Sequence, residues 1–181
     1  MKDNSGLTLI EMIVVVMIVV GLAGILTPVI INEVEKSKNA KATADLRLLS
    51  DAFNRYRLDT SRWADNYTAD TMKTATRDVT GFSCFFTNTY KVQGWDGPYV
   101  PKDAGKNNIA TVSGTTSRGL VDPWGRYYKL YTYKKGSTMG SGGGIVALCT
   151  GADGKVNTKA ADIAGGIPSG DDLLYVIARK L

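Results

Sequence analysis

From Leu7 to Ile31 the sequence runs through 25 residues with a single ionisable side chain, Glu11. As an α-helix rising ~1.5 Å per residue, such a run reaches ~37 Å, more than the ~30 Å hydrocarbon core of a bilayer. It therefore predicts a membrane-spanning helix. A conventional secretory signal peptide needs a basic start, a shorter apolar core and a small-residue cleavage site after it. Here Thr27, Pro28 and Val29 lead straight into further apolar residues. Only Lys2 precedes the run, whereas Lys36, Lys38, Lys41 and Arg47 follow it. Taken alone, that bias favours a cytoplasmic C-terminal side, although the rule weakens for long translocated domains.

Two residues inside the run break its apolar character. An ionisable group in an apolar helix is costly unless it finds a partner or reaches the interface, so Glu11 either pairs with a cation or snorkels to the headgroups. Pro28 lacks an N–H and crowds the preceding turn, which predicts a kink or a local opening of the helix. Gly21 and Gly24 are further weak points in it.

Beyond Pro28 the polarity changes and the helical period persists. Ala42, Leu46, Leu49, Phe53 and Tyr56 recur at spacings of three and four and make one apolar stripe. Lys41, Asp45, Arg47, Asp51 and Arg55 fall opposite, on a side facing water or another subunit. A single helix of about fifty residues is the consequence, apolar all round in its first half and amphipathic in its second. Asp59, Thr60 and Ser61 can bond nearby backbone and end it, with Trp63 folding onto the core.

The rest of the chain excludes several chemistries. The formal charge of +5 is spread among acidic residues, and no dense basic patch supports nucleic-acid binding. There is no histidine, so the two cysteines, Cys84 and Cys149, do not read as a zinc site. Outside the cytoplasm they could form a disulfide closing a long loop, worth ~4 kcal/mol in the chain-entropy model; two buried thiols are the alternative. No Gly-x-Ser-x-Gly elbow, Cys-x-x-Cys pair or histidine base is present, and the glycines at 140–144 lack the Gly-Lys-Ser/Thr of a phosphate loop. No catalytic arrangement can be assembled, and an enzyme is not expected.

The opening, Met1-Lys2-Asp3-Asn4-Ser5-Gly6 followed by Leu7-Thr8-Leu9-Ile10-Glu11, resembles the leader of type IV prepilins and pseudopilins. The resemblance implies that a prepilin peptidase cuts between Gly6 and Leu7 and methylates the new Leu7 amine. Counted from Leu7, Glu11 and Pro28 fall where the family carries Glu and Pro. It further implies that Glu11 pairs with the Leu7 amine of a neighbouring subunit, and that the stretch around Pro28 can extend in a filament.

Further segments are similar to the major pseudopilins of type II secretion. Tyr56-Arg57-Leu58-Asp59 resembles their helix exit. Gly94-Trp95-Asp96-Gly97-Pro98-Tyr99 and the turn Asp122-Pro123-Trp124-Gly125 resemble two later motifs, separated here by an insertion, residues 103–118, read as a surface loop. Gly151-Ala152-Asp153-Gly154 with Gly170-Asp171-Asp172 resembles their calcium-binding tail. Carried over, Asp153, Asp171 and Asp172 would be the side-chain ligands, hard oxygens suited to that ion. This sequence departs from the pattern in its longer Lys155 to Ser169 stretch and in Leu173-Leu174 after the pair.

The expected fold is α+β: a long N-terminal spine helix packed on a small antiparallel C-terminal sheet, with Tyr127 to Tyr133, Ile145 to Cys149 and Leu173 to Ala178 as strands. The expected organisation is a leader at 1–6, a transmembrane and filament-core helix at 7–31, its amphipathic continuation at 32–62 and a globular domain at 63–181. The resemblance implies a subunit that crosses the inner membrane once, its globular domain periplasmic or extracellular. That subunit would assemble into a homo-oligomeric helical filament with an assembly platform and minor pseudopilins. A secretion pseudopilus is the first expectation. A type IV pilus for adhesion, twitching or DNA uptake is the second, and a monomeric membrane-anchored binding domain the third.

Overall fold

The structure, a computed structural model, describes residues 8–61, 75–78, 84–88, 91–100, 109–111, 118–133 and 144–179. The chain divides into two compact units, Met1–Lys38 and Asn39–Leu181. Helix α1, Leu9–Thr60, supplies residues to both.

From Leu9 to Ile31, in the first unit, α1 is apolar on every side but for Glu11. Its large hydrophobic side chains from Leu9 to Ile31 are 46–78% exposed. It is long and apolar enough to cross a membrane. A kink or a local opening is expected at Pro28, and the helix runs past it as one continuous element, without the opening. Proline deletes one N–H and hence one backbone bond, a local loss that the rest of a long helix can carry. Next to it the Thr27 hydroxyl donates to the Ala23 carbonyl at 2.7 Å.

In the second unit the predicted stripe is the core. Ala42, Leu46, Leu49, Phe53 and Tyr56 are all buried. Against them pack Phe85, Tyr99, Tyr128, Leu130, Ile145, Ala147, Cys149 and Ile177. The aromatic rings meet edge to face, Phe53 with Phe85 at 4.8 Å and Tyr56 with Tyr99 at 5.5 Å between centroids. This geometry sets the positive ring edge on the negative face.

The strands are β1 (Ala75–Asp78), β2 (Ile109–Thr111), β3 (Arg118–Leu120), β4 (Lys129–Tyr133), β5 (Gly144–Cys149) and β6 (Leu173–Arg179). Four of them form an antiparallel sheet in the order β1-β4-β5-β6. Strand β5 is buried along its whole length because both of its faces are covered. Alternate side chains point to opposite faces. Ile145, Ala147 and Cys149 therefore meet α1, while Val146 and Leu148 join Tyr131 and Ile163 in a second cluster. Ile163 lies on α2, Ala160–Gly165, a short helix the sequence reading did not foresee. A register shift at Ile145/Val146 lets Ile177 and Ala178 both serve the α1 face.

The insertion at 103–118 is more than a loop, since β2 within it pairs antiparallel with β3. Strand β1 likewise lies outside the three strands expected from the sequence. Asp45, placed on the wet face by periodicity, is half-buried and accepts a hydrogen bond from the Tyr128 hydroxyl at 2.9 Å. Gly6, Leu7 and Trp63 lie outside the described residues.

Candidate functional site

At the start of α1, Thr8 and Glu11 form a reciprocal cap. The first helical N–H groups have no intrahelical acceptor, and a Thr-x-x-Glu pattern supplies acceptors from side chains. Here the Thr8 N–H and hydroxyl donate to Glu11 Oε2 at 2.8 and 2.7 Å. The Glu11 N–H donates back to Thr8 Oγ1 at 3.4 Å. Within a single chain, then, the carboxylate that the sequence marks as needing a partner is held by Thr8. Thr-x-x-Glu was legible as a capping box, although the sequence reading treated Glu11 alone.

At the far end of α1 the Thr60 hydroxyl donates to the Tyr56 carbonyl at 2.6 Å, and Ser61 turns the chain with φ 54°. The Asp122 to Arg126 turn is organised by a buried carboxylate. Asp122 Oδ1 accepts the Trp124 and Arg126 N–H groups at 2.9 and 2.8 Å, and Oδ2 accepts the Cys149 thiol at 3.4 Å. Burial, with the Asp122 charge assisting, pushes the Cys149 thiol up to about 12. Cys149 and Cys84 are both buried thiols, the alternative to the bridge between them.

The C-terminal loop brings Asp153, Asp171 and Asp172 around one residue, Asn157. Its side-chain Nδ2 donates to Asp153 Oδ2 and Asp171 Oδ1, each at 3.0 Å. Its backbone N–H donates to Asp172 Oδ2 at 2.8 Å. The same Asp172 oxygen accepts the Thr158 N–H and hydroxyl, both at 2.7 Å. Asp171 Oδ2 accepts the Asp153 N–H at 2.8 Å. Asn157 first, and then the Lys155 N–H, hold the Asp153 carboxyl below its ordinary range.

From the neighbouring turn, Arg126 donates Nη1 to the Gly151 carbonyl at 2.7 Å and Nη2 to the Ala152 carbonyl at 3.1 Å. Among the described residues no three His, Cys, Asp or Glu side chains converge to hold a metal ion. The three aspartates are thus neighbours around an amide, and the donor set does not fit the calcium cage implied by the resemblance. Asp172 Oδ1 is the one carboxylate oxygen of the three that is buried without a protein donor. Asn157 and Arg126 were missed by the sequence reading, for Asn157 reaches the aspartates and Arg126 the Gly151 and Ala152 carbonyls from separate turns.

An exposed apolar helix whose continuation packs an amphipathic stripe on a small antiparallel sheet is the architecture of the pilin-like α+β fold. Comparison with known proteins agrees. The chain is similar to type II secretion system core protein G of Escherichia coli K12, with 27% identity over 156 residues covering 86% of this chain and 87% of that protein. It is similar to the core protein G of Aeromonas hydrophila, with 37% identity over 62 residues, 34% of this chain and 43% of that protein. The Klebsiella pneumoniae protein of the same name gives 36% over 63 residues, 35% and 45% of the two chains. The matched stretch thus spans less than half the length of the last two. No family model matches the chain, and no solved structure does. The fold matches the pilin-like α+β fold, and the curated relatives to which the chain is similar are core proteins of type II secretion.

Proposed function

We propose that this chain is a structural subunit of a type II secretion pseudopilus. It is anchored in the inner membrane by the first half of α1 and carries no catalytic role. The carrying observation is the set of apolar side chains from Leu9 to Ile31, none of them covered within the chain. Apolar area of that extent needs lipid before assembly and other copies of the same helix after it.

Processing between Gly6 and Leu7 by a prepilin peptidase would give Leu7 a free, methylated amine on the membrane's cytoplasmic side. That amine is the cation for the Glu11 of a neighbour, exchanged for the Thr8 donors that hold Glu11 in the monomer. The amine brings the opposite charge that the neutral Thr8 donors lack, so the exchange favours the polymer. Minor pseudopilins and an inner-membrane platform are the partners in this reading, and the globular unit lies outside the cytoplasm.

Mass spectrometry of protein extracted from membranes tests it. The expected N-terminus is methylated Leu7. An intact Met1, or a cut beyond Ile31, sinks the reading.

A further inference from the structure

We propose that Arg126 and Asn157 close the C-terminal loop from within, occupying the oxygens that a divalent cation would recruit, so that the loop at 150–172 is ordered without calcium. The inference concerns the loop alone and does not depend on the filament reading.

Calcium gathers six to eight oxygens from carboxylates and carbonyls. On this loop most of both kinds are taken, Asp172 Oδ1 being the exception. The Arg126 fork binds the Gly151 and Ala152 carbonyls at 2.7 and 3.1 Å. It also lies close over Gly154, where a β-carbon would displace the guanidinium and where φ of 72° favours glycine.

The Asp153 and Asp171 carboxylates are satisfied separately. Asp153 Oδ2 and Asp171 Oδ1 both face Asn157 Nδ2 at 3.0 Å. An amide nitrogen carries two N–H donors, one for each oxygen. Turned the other way, the amide would set its own oxygen against two carboxylates, so the hydrogen bonds themselves fix its orientation. Asp153 Oδ1 takes the Lys155 N–H at 2.7 Å, and Asp171 Oδ2 takes the Asp153 N–H at 2.8 Å. Asp172 is anchored through one oxygen by three donors at 2.7–2.8 Å.

A cation entering between Asp153 and Asp171 has to expel the Asn157 amide. Asn157 and calcium are therefore competitors, and taking the amide away exposes a calcium dependence that the native chain lacks.

The test is the thermal unfolding midpoint of the full chain in detergent, measured in EDTA and in millimolar calcium. The native chain is expected to unfold at the same temperature in both, within about 1 °C. Asn157→Ala should unfold several degrees lower in EDTA and recover by roughly 3 °C in calcium. Should that variant fail to fold, Asn157→Asp serves in its place, because a third carboxylate against Asp153 and Asp171 makes folding depend on the ion. Arg126→Gln should lower the midpoint in both buffers and uncover a calcium response. A native chain that gains as much from calcium as the variants overturns the proposal. So does an Asn157→Ala protein that is unaffected in EDTA, or one that loses stability and does not regain it in calcium.

Discussion

Gly94 packs directly against the backbone carbonyl of Asp59, so that the last turn of α1 and the Gly94 to Tyr99 segment meet with no room for a side chain between them. The segment is pinned on its other side as well. Trp95 Nε1 donates to the Cys84 carbonyl at 2.7 Å, and the Asp96 N–H donates to the Tyr99 hydroxyl at 3.0 Å. Two motifs separated by more than thirty residues in sequence thus form one joint.

Substituting Gly94→Ala places a β-carbon on the Asp59 carbonyl and also strains a backbone held at φ 81°. Both effects act in the same direction. The expected loss is about 2 kcal/mol or more, read from denaturant midpoints at unchanged slope. A neutral outcome would mean that the helix end moves freely away from this segment.

Tyr128 joins the sheet side of the core to α1 through its hydrogen bond to Asp45 at 2.9 Å. Replacing it with phenylalanine keeps the buried ring, loses the bond and leaves Asp45 without that donor. About 1–2 kcal/mol of stability should be lost. The double variant Tyr128→Phe with Asp45→Ala should cost less than the sum of the single ones, since the two residues share one interaction.

Alkaline pH should weaken the folded state in a defined order. Burial first raises Cys149 from 9.0 to about 12 and Tyr99 from 10.0 to about 12, and it drives Tyr128 higher still. A group with a raised folded pKa holds its proton more tightly in the native state. Its contribution is complete below the unfolded pKa and is lost as pH rises toward the folded one. Stability should therefore begin to fall near pH 9, where the unfolded thiol ionises, and fall more steeply above pH 10 as the unfolded tyrosines follow. Cys149→Ala should flatten the first part of that decline. The thiol should also resist maleimide until the protein unfolds, since the thiolate is the reactive form.

The sequence made α1 legible because amphipathic periodicity, from Ala42 to Tyr56, is a local signal that tertiary contacts only confirm. Strands β4, β5 and β6 were legible for a related reason, each being a short apolar or aromatic run bounded by breakers. Other elements depend on distant partners. Strand β1 and the β2–β3 pair are three or four residues long, and pairing defines them more than composition does. Helix α2 is six residues without a side-chain cap, and it holds its place through Ile163 on the second face of the sheet. At the candidate site, Glu11 stood out as a charge in an apolar run, and the aspartates stood out among glycines. Asn157 and Arg126 had no comparable signature, because an amide or guanidinium reaching 14 or 26 residues along the chain leaves no periodic trace.

Glu11 caps α1 and is proposed to pair with a neighbour in assembly, and Glu11→Gln distinguishes the two roles. Glutamine also serves as the third helical residue of a capping box, so it can keep the bonds that Thr8 makes with Glu11 Oε2. It carries no charge and cannot form an ion pair with an amine. If the proposed pairing with a neighbour's Leu7 drives assembly, the variant should insert and be processed normally yet fail to polymerise. The sheared filament fraction should fall at least tenfold, which corresponds to about 1.4 kcal/mol per contact. Thr8→Val provides the complementary case, since it removes the hydroxyl from the cap and leaves the charge in place. That variant should lower the amount of inserted protein, because an ionisable group held by fewer donors is costlier in an apolar phase. Normal filaments from Glu11→Gln would leave helix capping as the whole role of this residue and would remove the charge pair from the assembly mechanism.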